Sequence, residues 1–148
     1  MTRQDFQELA EIRLRDARTL LRAKCYDGAY YLAGYPVECA LKACVARRVK
    51  RYDFPDRDFV RKAYTHDLTE LLRLADIEKE FEREQQKAPD LVINWNVAKG
   101  WTEQSRYERH GKQIAEKMVS VVSASRHGVL QCLRESWEEN SSKTASVS

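Results

Sequence analysis

Between Tyr26 and Lys50 the chain reads YDGAYYLAGYPVECALKACVARRVK, and small apolar residues recur through this stretch at helical spacing. Ala29, Ala33, Val37, Ala40, Leu41 and Cys44 fall three and four positions apart, so at 3.6 residues per turn they line one buried stripe. Side chains this small let a neighbouring helix approach closely, which constrains the chain to surround the segment with further helices. Three polar side chains, Tyr31, Glu38 and Lys42, are set into the pattern. Glu38 and Lys42 are four apart, share a helix face and can pair. Two readings of that pair stand side by side: a surface ion pair beside a core stripe, or the floor of a polar groove.

The rest of the chain predicts five to six helices and no strand, an all-α antiparallel bundle. Thr2 with Asp5 three residues later resembles a capping box, and Phe6, Leu9, Ala10, Leu14, Ala17 and Leu21 then form a stripe that ends near Lys24. Asp27 is placed to cap the second helix, which runs towards Lys50 and carries Pro36 in its middle, where a kink is expected. Leu68, Leu71, Leu72 and Ala75 share a face of a third helix beginning after Thr65. Asp76 is placed to cap a very polar fourth, IEKEFEREQQK, which Pro89-Asp90 breaks; LVINWNVAKGW reads as a short helix followed by a loop. The last long helix puts Ile114, Met118, Val121, Val122, Ser125, Val129, Leu133 and Trp137 on one face. Residues 1–139 thus form one helical domain, and 140–148, within NSSKTASVS, hold too little apolar surface to order themselves.

Composition narrows the function classes. A chain of 148 residues buries roughly 70% of its extended-chain surface, enough for one core. No apolar run approaches a membrane span, and the charged N-terminus MTRQDFQELAEIRLRD does not suit a secretory leader, so a cytoplasmic location with no membrane partner is expected. Cys25, Cys39, Cys44 and Cys132 lack the paired spacing of a zinc site and read as reduced core or near-core residues. No cluster of metal ligands, no Gly-rich phosphate loop and no Ser-His-Asp arrangement stands out, so neither a metal nor a cofactor is expected. The net charge of +3 is too mild for a protein that coats nucleic acid. Locally, Arg47, Arg48, Lys50, Arg51, Arg57, Arg61 and Lys62 face only Asp53, Asp56 and Asp58, with Tyr52, Phe54 and Phe59 interleaved. That stretch is either the edge of an RNA-binding surface or a solvated helix end and loop.

Taken together, DGAYYLAGYPVECALKA, THDLTELL from Thr65 to Leu72 and SRYE from Ser105 to Glu108 resemble the HEPN domain family over most of the chain. The resemblance implies an antiparallel helical bundle of the kind found in prokaryotic toxin–antitoxin pairs, often beside a small nucleotidyltransferase, and it implies a homodimer. Several members are metal-independent ribonucleases whose signature is an Arg followed, after four to six residues, by a His on the same helix. The corresponding residues here are Arg106 and His110, with three residues between them, so the spacing falls one short. Pro36 is a second departure from the family pattern.

Metal-free RNA cleavage needs a base for the ribose 2′-hydroxyl proton, an acid for the leaving oxygen and a cation near the phosphate. His110 fits the base and Arg106 the phosphate clamp, provided one helix carries both. The structural alternative for Arg106 is an ion pair with Glu38 that ties the two regions together. Between these readings lies a groove of Tyr31, Glu38, Lys42 and Tyr107 that binds RNA or a nucleotide without cutting, and beside them a non-enzymatic module that docks a nucleotidyltransferase. His66 has a local role available at a helix N-terminus, His127 reads as an exposed late-helix position, and the Arg61 to His66 spacing is taken as coincidental.

Overall fold

The computed structural model describes residues 1–51 and 57–136, the side chains of Lys50 and Arg51 excepted, and among these residues it is helical throughout with no strand. Helix α1 (Arg3–Arg22) opens on the expected capping box: Thr2 Oγ1 accepts from the Asp5 amide, and Asp5 Oδ2 accepts from the Thr2 amide at 2.7 Å. After a turn in which Lys24 takes a left-handed φ of 63°, the chain folds back as α2 (Tyr26–Ala33) and α3 (Tyr35–Arg51), both against α1. The predicted stripe holds: Ala29, Ala33, Val37, Ala40, Leu41 and Cys44 are all fully buried.

The kink expected at Pro36 is instead a break at Gly34. A Cβ on Gly34 would lie 2.1 Å from the Trp101 ring, so only glycine admits that indole, which is itself buried. Trp101 Nε1 donates to the Tyr31 carbonyl at 3.1 Å, satisfying an acceptor that the end of α2 leaves open. Pro36 then falls in the first turn of α3, where its missing N–H is not needed.

Beyond α3 come α4 (Arg57–Ala63), α5 (Leu68–Leu74), α6 (Glu78–Lys87), α7 (Pro89–Ala98), a 3-10 turn (Glu103–Tyr107) and α8 (Lys112–Ser123). A last helix, α9, covers 129–136 among the described residues. The expected count of five to six helices is too low for physical reasons visible at each extra boundary. Gly34 divides the second helix, and Arg57–Ala63 is a helix that no expectation included. Pro89, expected as a breaker, both follows the end of α6 and starts α7, because proline suits a first helical position. The last long helix stops at Ser123: Ala124 is extended, His127 has a φ of 60°, and a Cβ on Gly128 would meet the Ala124 carbonyl at 2.1 Å.

Two expected caps are also different. Cys25, not Asp27, precedes α2, and Ile77, not Asp76, precedes α6, with Asp76 at a left-handed φ of 59°. Leu68, Leu71, Leu72 and Ala75 are buried as expected, and so are Met118, Val121, Val122, Val129 and Leu133, but Ile114 is exposed. All four cysteines are thiols; Cys39, Cys44 and Cys132 are buried, whereas Cys25 is exposed. Trp137, the tail at 140–148, the boundary at 139 and the Tyr52–Asp56 loop lie outside the described residues. No helix among the described residues is long and apolar enough to cross a membrane.

Candidate functional site

Glu38 sits in the first turn of α3 and is 5% exposed, so its carboxylate has to find partners within the protein. Lys42, one turn on, brings Nζ to 3.7 Å from Oε2. The other oxygen is taken by His66, whose Nδ1 lies 2.5 Å from Oε1. The second ring nitrogen of His66 faces Glu103 Oε2 at 3.1 Å, so one imidazole bridges α3 and the 3-10 turn. The start of α5 sets the position of His66: Asp67 caps that helix by accepting from the Glu70 amide at 3.0 Å, and buried Leu68 and Leu71 anchor it.

Tyrosines form the other wall. The Tyr31 and Tyr35 hydroxyls are 2.8 Å apart, and Tyr35 meets Trp101 edge to face with centroids 5.0 Å apart. Burial first, then the Tyr31 hydroxyl bond and the nearby carboxylates of Glu38 and Glu103, push the Tyr35 phenol well above the usual tyrosine range. Tyr35 is therefore a neutral hydrogen-bonding group throughout the working pH range. Glu38 and Lys42 thus pair, Tyr31 reaches them only through the Tyr35 hydroxyl, and the cluster is completed by His66 and Glu103, which sequence reasoning did not place in the site.

Arg106 does not join them. The shared helix that the catalytic reading required does not reach SRYE, which is a 3-10 turn that directs Ser105 inward and leaves Arg106 and Tyr107 outside. The Arg106 guanidinium lies over the Tyr107 ring, 4.8 Å from its centroid, and Tyr107 is 74% exposed. The expected ion pair between Arg106 and Glu38 is corrected accordingly: His66 and Lys42 occupy the carboxylate. Arg106, three residues after Glu103, is near enough to feel the Glu103 carboxylate and the Tyr31 hydroxyl but makes no ion pair with Glu38 among the described residues.

His110 is also not where a shared helix face would put it. Residues 108–111 connect the 3-10 turn to α8, with Glu108 and Gly111 both extended, so Arg106 and His110 belong to no common helix. The His110 ring stacks on Tyr30 at a centroid distance of 3.8 Å and an interplanar angle of 21°, and its side chain is 10% exposed. Its Nε2 is buried without a hydrogen-bond partner among the described residues; Glu108 Oε2, at 3.7 Å, is too distant for one. The His110 amide donates to Asp27 Oδ1 at 2.5 Å, which explains why Asp27 is not free to cap α2. Beside this contact lies an open recess of about 540 Å³ bordered by Lys24, Cys25, Tyr26, Asp27, Arg109 and His110.

The basic stretch is partly consumed by packing. Arg48 Nη1 donates to the Leu74 carbonyl at 2.7 Å with its guanidinium 5.3 Å from the Phe59 ring centroid, and Arg47 Nη1 donates to the Ser136 carbonyl at 3.2 Å. Arg57, Arg61 and Lys62 on α4 are exposed, while Tyr52 and Phe54 lie outside the described residues. Among the described residues no group of three or more His, Cys, Asp or Glu is arranged to hold a metal ion.

The two residues that sequence reasoning passed over, His66 and Glu103, carry no periodic signal, because both sit in connections and pair across long separations. The only available hint was that His66 lies in THDL, one of the blocks that carried the family resemblance, directly before a helix cap. Compared with known proteins, residues 4–127 match the family model described as the HEPN domain, a span running from α1 into the turn after α8. No curated protein and no solved structure matches the chain.

Proposed function

The chain belongs to the HEPN domain family, and from that premise we propose that it is an RNA- or nucleotide-binding component of a prokaryotic toxin–antitoxin or defence-type system. One observation carries the reading: Arg106 and Tyr107 stand together in solvent on a short turn whose first residue, Glu103, is tied through His66 to a buried carboxylate. A guanidinium grips phosphate oxygens and an exposed aromatic face accepts an unpaired base, so the pair suits a single-stranded ligand. In the family setting the proposal extends to a homodimer, to a nucleotidyltransferase as protein partner and to a cytoplasmic location.

Metal-independent cleavage is the second reading, with Arg106 at the phosphate and His110 as base. It is favoured by the unpartnered Nε2 of His110, a ring nitrogen committed to no hydrogen bond. It also requires that ring to reach the ligand from beneath its stack on Tyr30. The direct experiment is titration of the whole chain with a short single-stranded RNA, alongside Arg106→Ala and Tyr107→Ala. Both variants are expected to lose affinity with unchanged folding, and undiminished binding in both would remove the proposal. Cleavage in excess chelator that disappears in His110→Ala and Arg106→Ala would establish the ribonuclease reading; a stable nucleotidyltransferase complex with neither RNA binding nor cleavage would leave the chain a docking module.

A further inference from the structure

His66 is the side chain that joins the buried end of the polar cluster to the exposed turn. Its Nδ1 lies 2.5 Å from Glu38 Oε1 and its Nε2 lies 3.1 Å from Glu103 Oε2. The Nδ1 contact with Glu38 is a hydrogen bond, and Nε2 makes a close approach to a second carboxylate. Hydrogen bonds of this charge-assisted kind are among the stronger ones available to a side chain. Glu38 cannot easily turn away, because it is buried and Lys42 stands 3.7 Å from its other oxygen. The tether is therefore anchored at its inner end and holds Glu103 at its outer end.

Glu103 is the first residue of the 3-10 turn that carries Arg106 and Tyr107. The turn spans only five residues, and at its two ends Ser105 N donates to Thr102 O and Glu108 N to Ser105 O, each at 3.1 Å. Ser105 is buried beside the cluster, but its hydroxyl has no hydrogen-bond partner among the described residues and so adds no polar anchor. A turn this short does not fix the direction of its own side chains unless something outside it does.

We propose that His66 is a positioning residue: by standing between the Glu38 and Glu103 carboxylates, it fixes the turn in the orientation that presents Arg106 and Tyr107 to a phosphate-bearing ligand. The ligand half of this proposal rests on the RNA-binding reading above; the tether half does not. His66 itself touches no ligand and acts through Arg106. Loss of the ring leaves Glu38 with Lys42 alone and releases Glu103, so the turn samples other orientations and the ligand has to select the competent one.

The test has one arm that needs RNA and one that does not. With a short single-stranded RNA as probe and the full chain as protein, His66→Ala is expected to weaken binding about tenfold, the loss of roughly one charge-assisted hydrogen bond. In the double variant with Arg106→Ala, the further loss caused by His66→Ala is expected to be smaller than in the unsubstituted chain, because only Tyr107 is left to position. Full additivity overturns the proposal. Glu103→Ala should reproduce His66→Ala, and Glu103→Gln, which keeps an acceptor oxygen, should restore most of the affinity; equal losses in the two Glu103 variants overturn it as well. These Glu103 changes lie at the outer end of the tether and keep the test open should His66→Ala fail to fold.

Without RNA, the His66 ring resonances in NMR spectra are expected to shift in Glu103→Ala. The amides of Ser105 and Glu108 should exchange faster in His66→Ala. Unshifted ring resonances, or unchanged amide exchange, overturn the tether. If Arg106→Ala leaves RNA affinity untouched, the binding reading fails by itself, and the ring resonances and amide exchange still decide whether His66 holds the turn.

Discussion

The molecule contains two histidines set against tyrosines and acidic residues, and they are used in opposite ways. His66 is part exposed yet sits between two carboxylates from separate elements, hydrogen bonded to Glu38 and 3.1 Å from Glu103. His110 is almost covered, stacked flat on Tyr30, and its Nε2 has no hydrogen-bond partner among the described residues. Burial alone therefore does not tell which histidine is structural. What distinguishes them is whether the ring closes a network or merely fills a space: the first couples α3 to the turn that bears Arg106, while the second couples the connection before α8 to the start of α2.

The comparison breaks most directly at Glu38. A carboxylate that is 5% exposed and holds both a lysine and a histidine leaves two donors stranded when it is removed. Glu38→Ala is expected to destabilise the fold by about 3–5 kcal/mol in urea titration. A loss below about 1 kcal/mol would mean that the cluster is an incidental surface contact, no different in kind from that of His110. The next largest effect belongs to Gly34→Ala. The new methyl would sit inside van der Waals distance of the buried Trp101 ring, whose Nε1 is bonded to Tyr31, so the indole must shift at a cost of about 1–3 kcal/mol.

The same distinction explains how far these two regions were legible in the sequence. The small-residue stripe of α2 and α3, the leucines of α5 and most of the apolar face of α8 and α9 are periodic, and periodicity survives tertiary packing because burial is what creates it. Tyr31, Glu38 and Lys42 were visible as polar interruptions of that period. His66 and Glu103 were not, since a residue in a connection acquires its partner only when helices far apart in sequence dock. Arg106 was misplaced for a local reason: SRYE has no feature that tells a 3-10 turn from an α-helix, yet that choice decides whether its arginine points at Glu38 or at water. The break at Gly34 was unreadable because its cause, the Trp101 indole, arrives from a remote part of the chain.

Thiol chemistry sharpens the contrast further. Cys39, next to Glu38, has its thiol pushed up to about 11 by burial and then by the Glu38 charge, and burial is the main cause of the same rise at Cys44. Cys25 lies exposed at the edge of the His110 recess. A thiol reagent is therefore expected to label Cys25 in the native protein while Cys39 and Cys44 resist until unfolding. The sign of the linked pH effect is fixed. The unfolded thiols ionise from the ordinary value of 9.0 upward while the folded ones hold their protons to about 11. Stability is thus unaffected by these thiols below pH 9 and falls between 9 and 11, by roughly 1.4 kcal/mol per pH unit for each thiol. Flat stability across that interval would contradict the burial of the α3 face behind Glu38.

His110→Ala is expected to do less. It removes the stack on Tyr30, worth about 0.5–1.5 kcal/mol, but also removes a buried nitrogen that has no partner, which offsets part of the loss. A net change near 1 kcal/mol or smaller in denaturant unfolding fits a ring that fills space. A loss approaching that of Glu38→Ala would show that His110 closes a network of its own, and the contrast between the two histidines would disappear.

The smallest stability effect should come from the residue with the largest proposed role in binding. Arg106 lies over the face of Tyr107, and both side chains stand in solvent, so Arg106→Ala is expected to leave the unfolding midpoint nearly unchanged. Had the guanidinium been locked against Glu38, the same substitution would strand a buried charge and cost several times more. Thermal unfolding of this one variant therefore separates the two placements of Arg106 without any ligand. An unchanged midpoint together with weakened RNA binding assigns the arginine to recognition, whereas a large drop in midpoint would return it to the interior and make His66 redundant as the link between α3 and the turn.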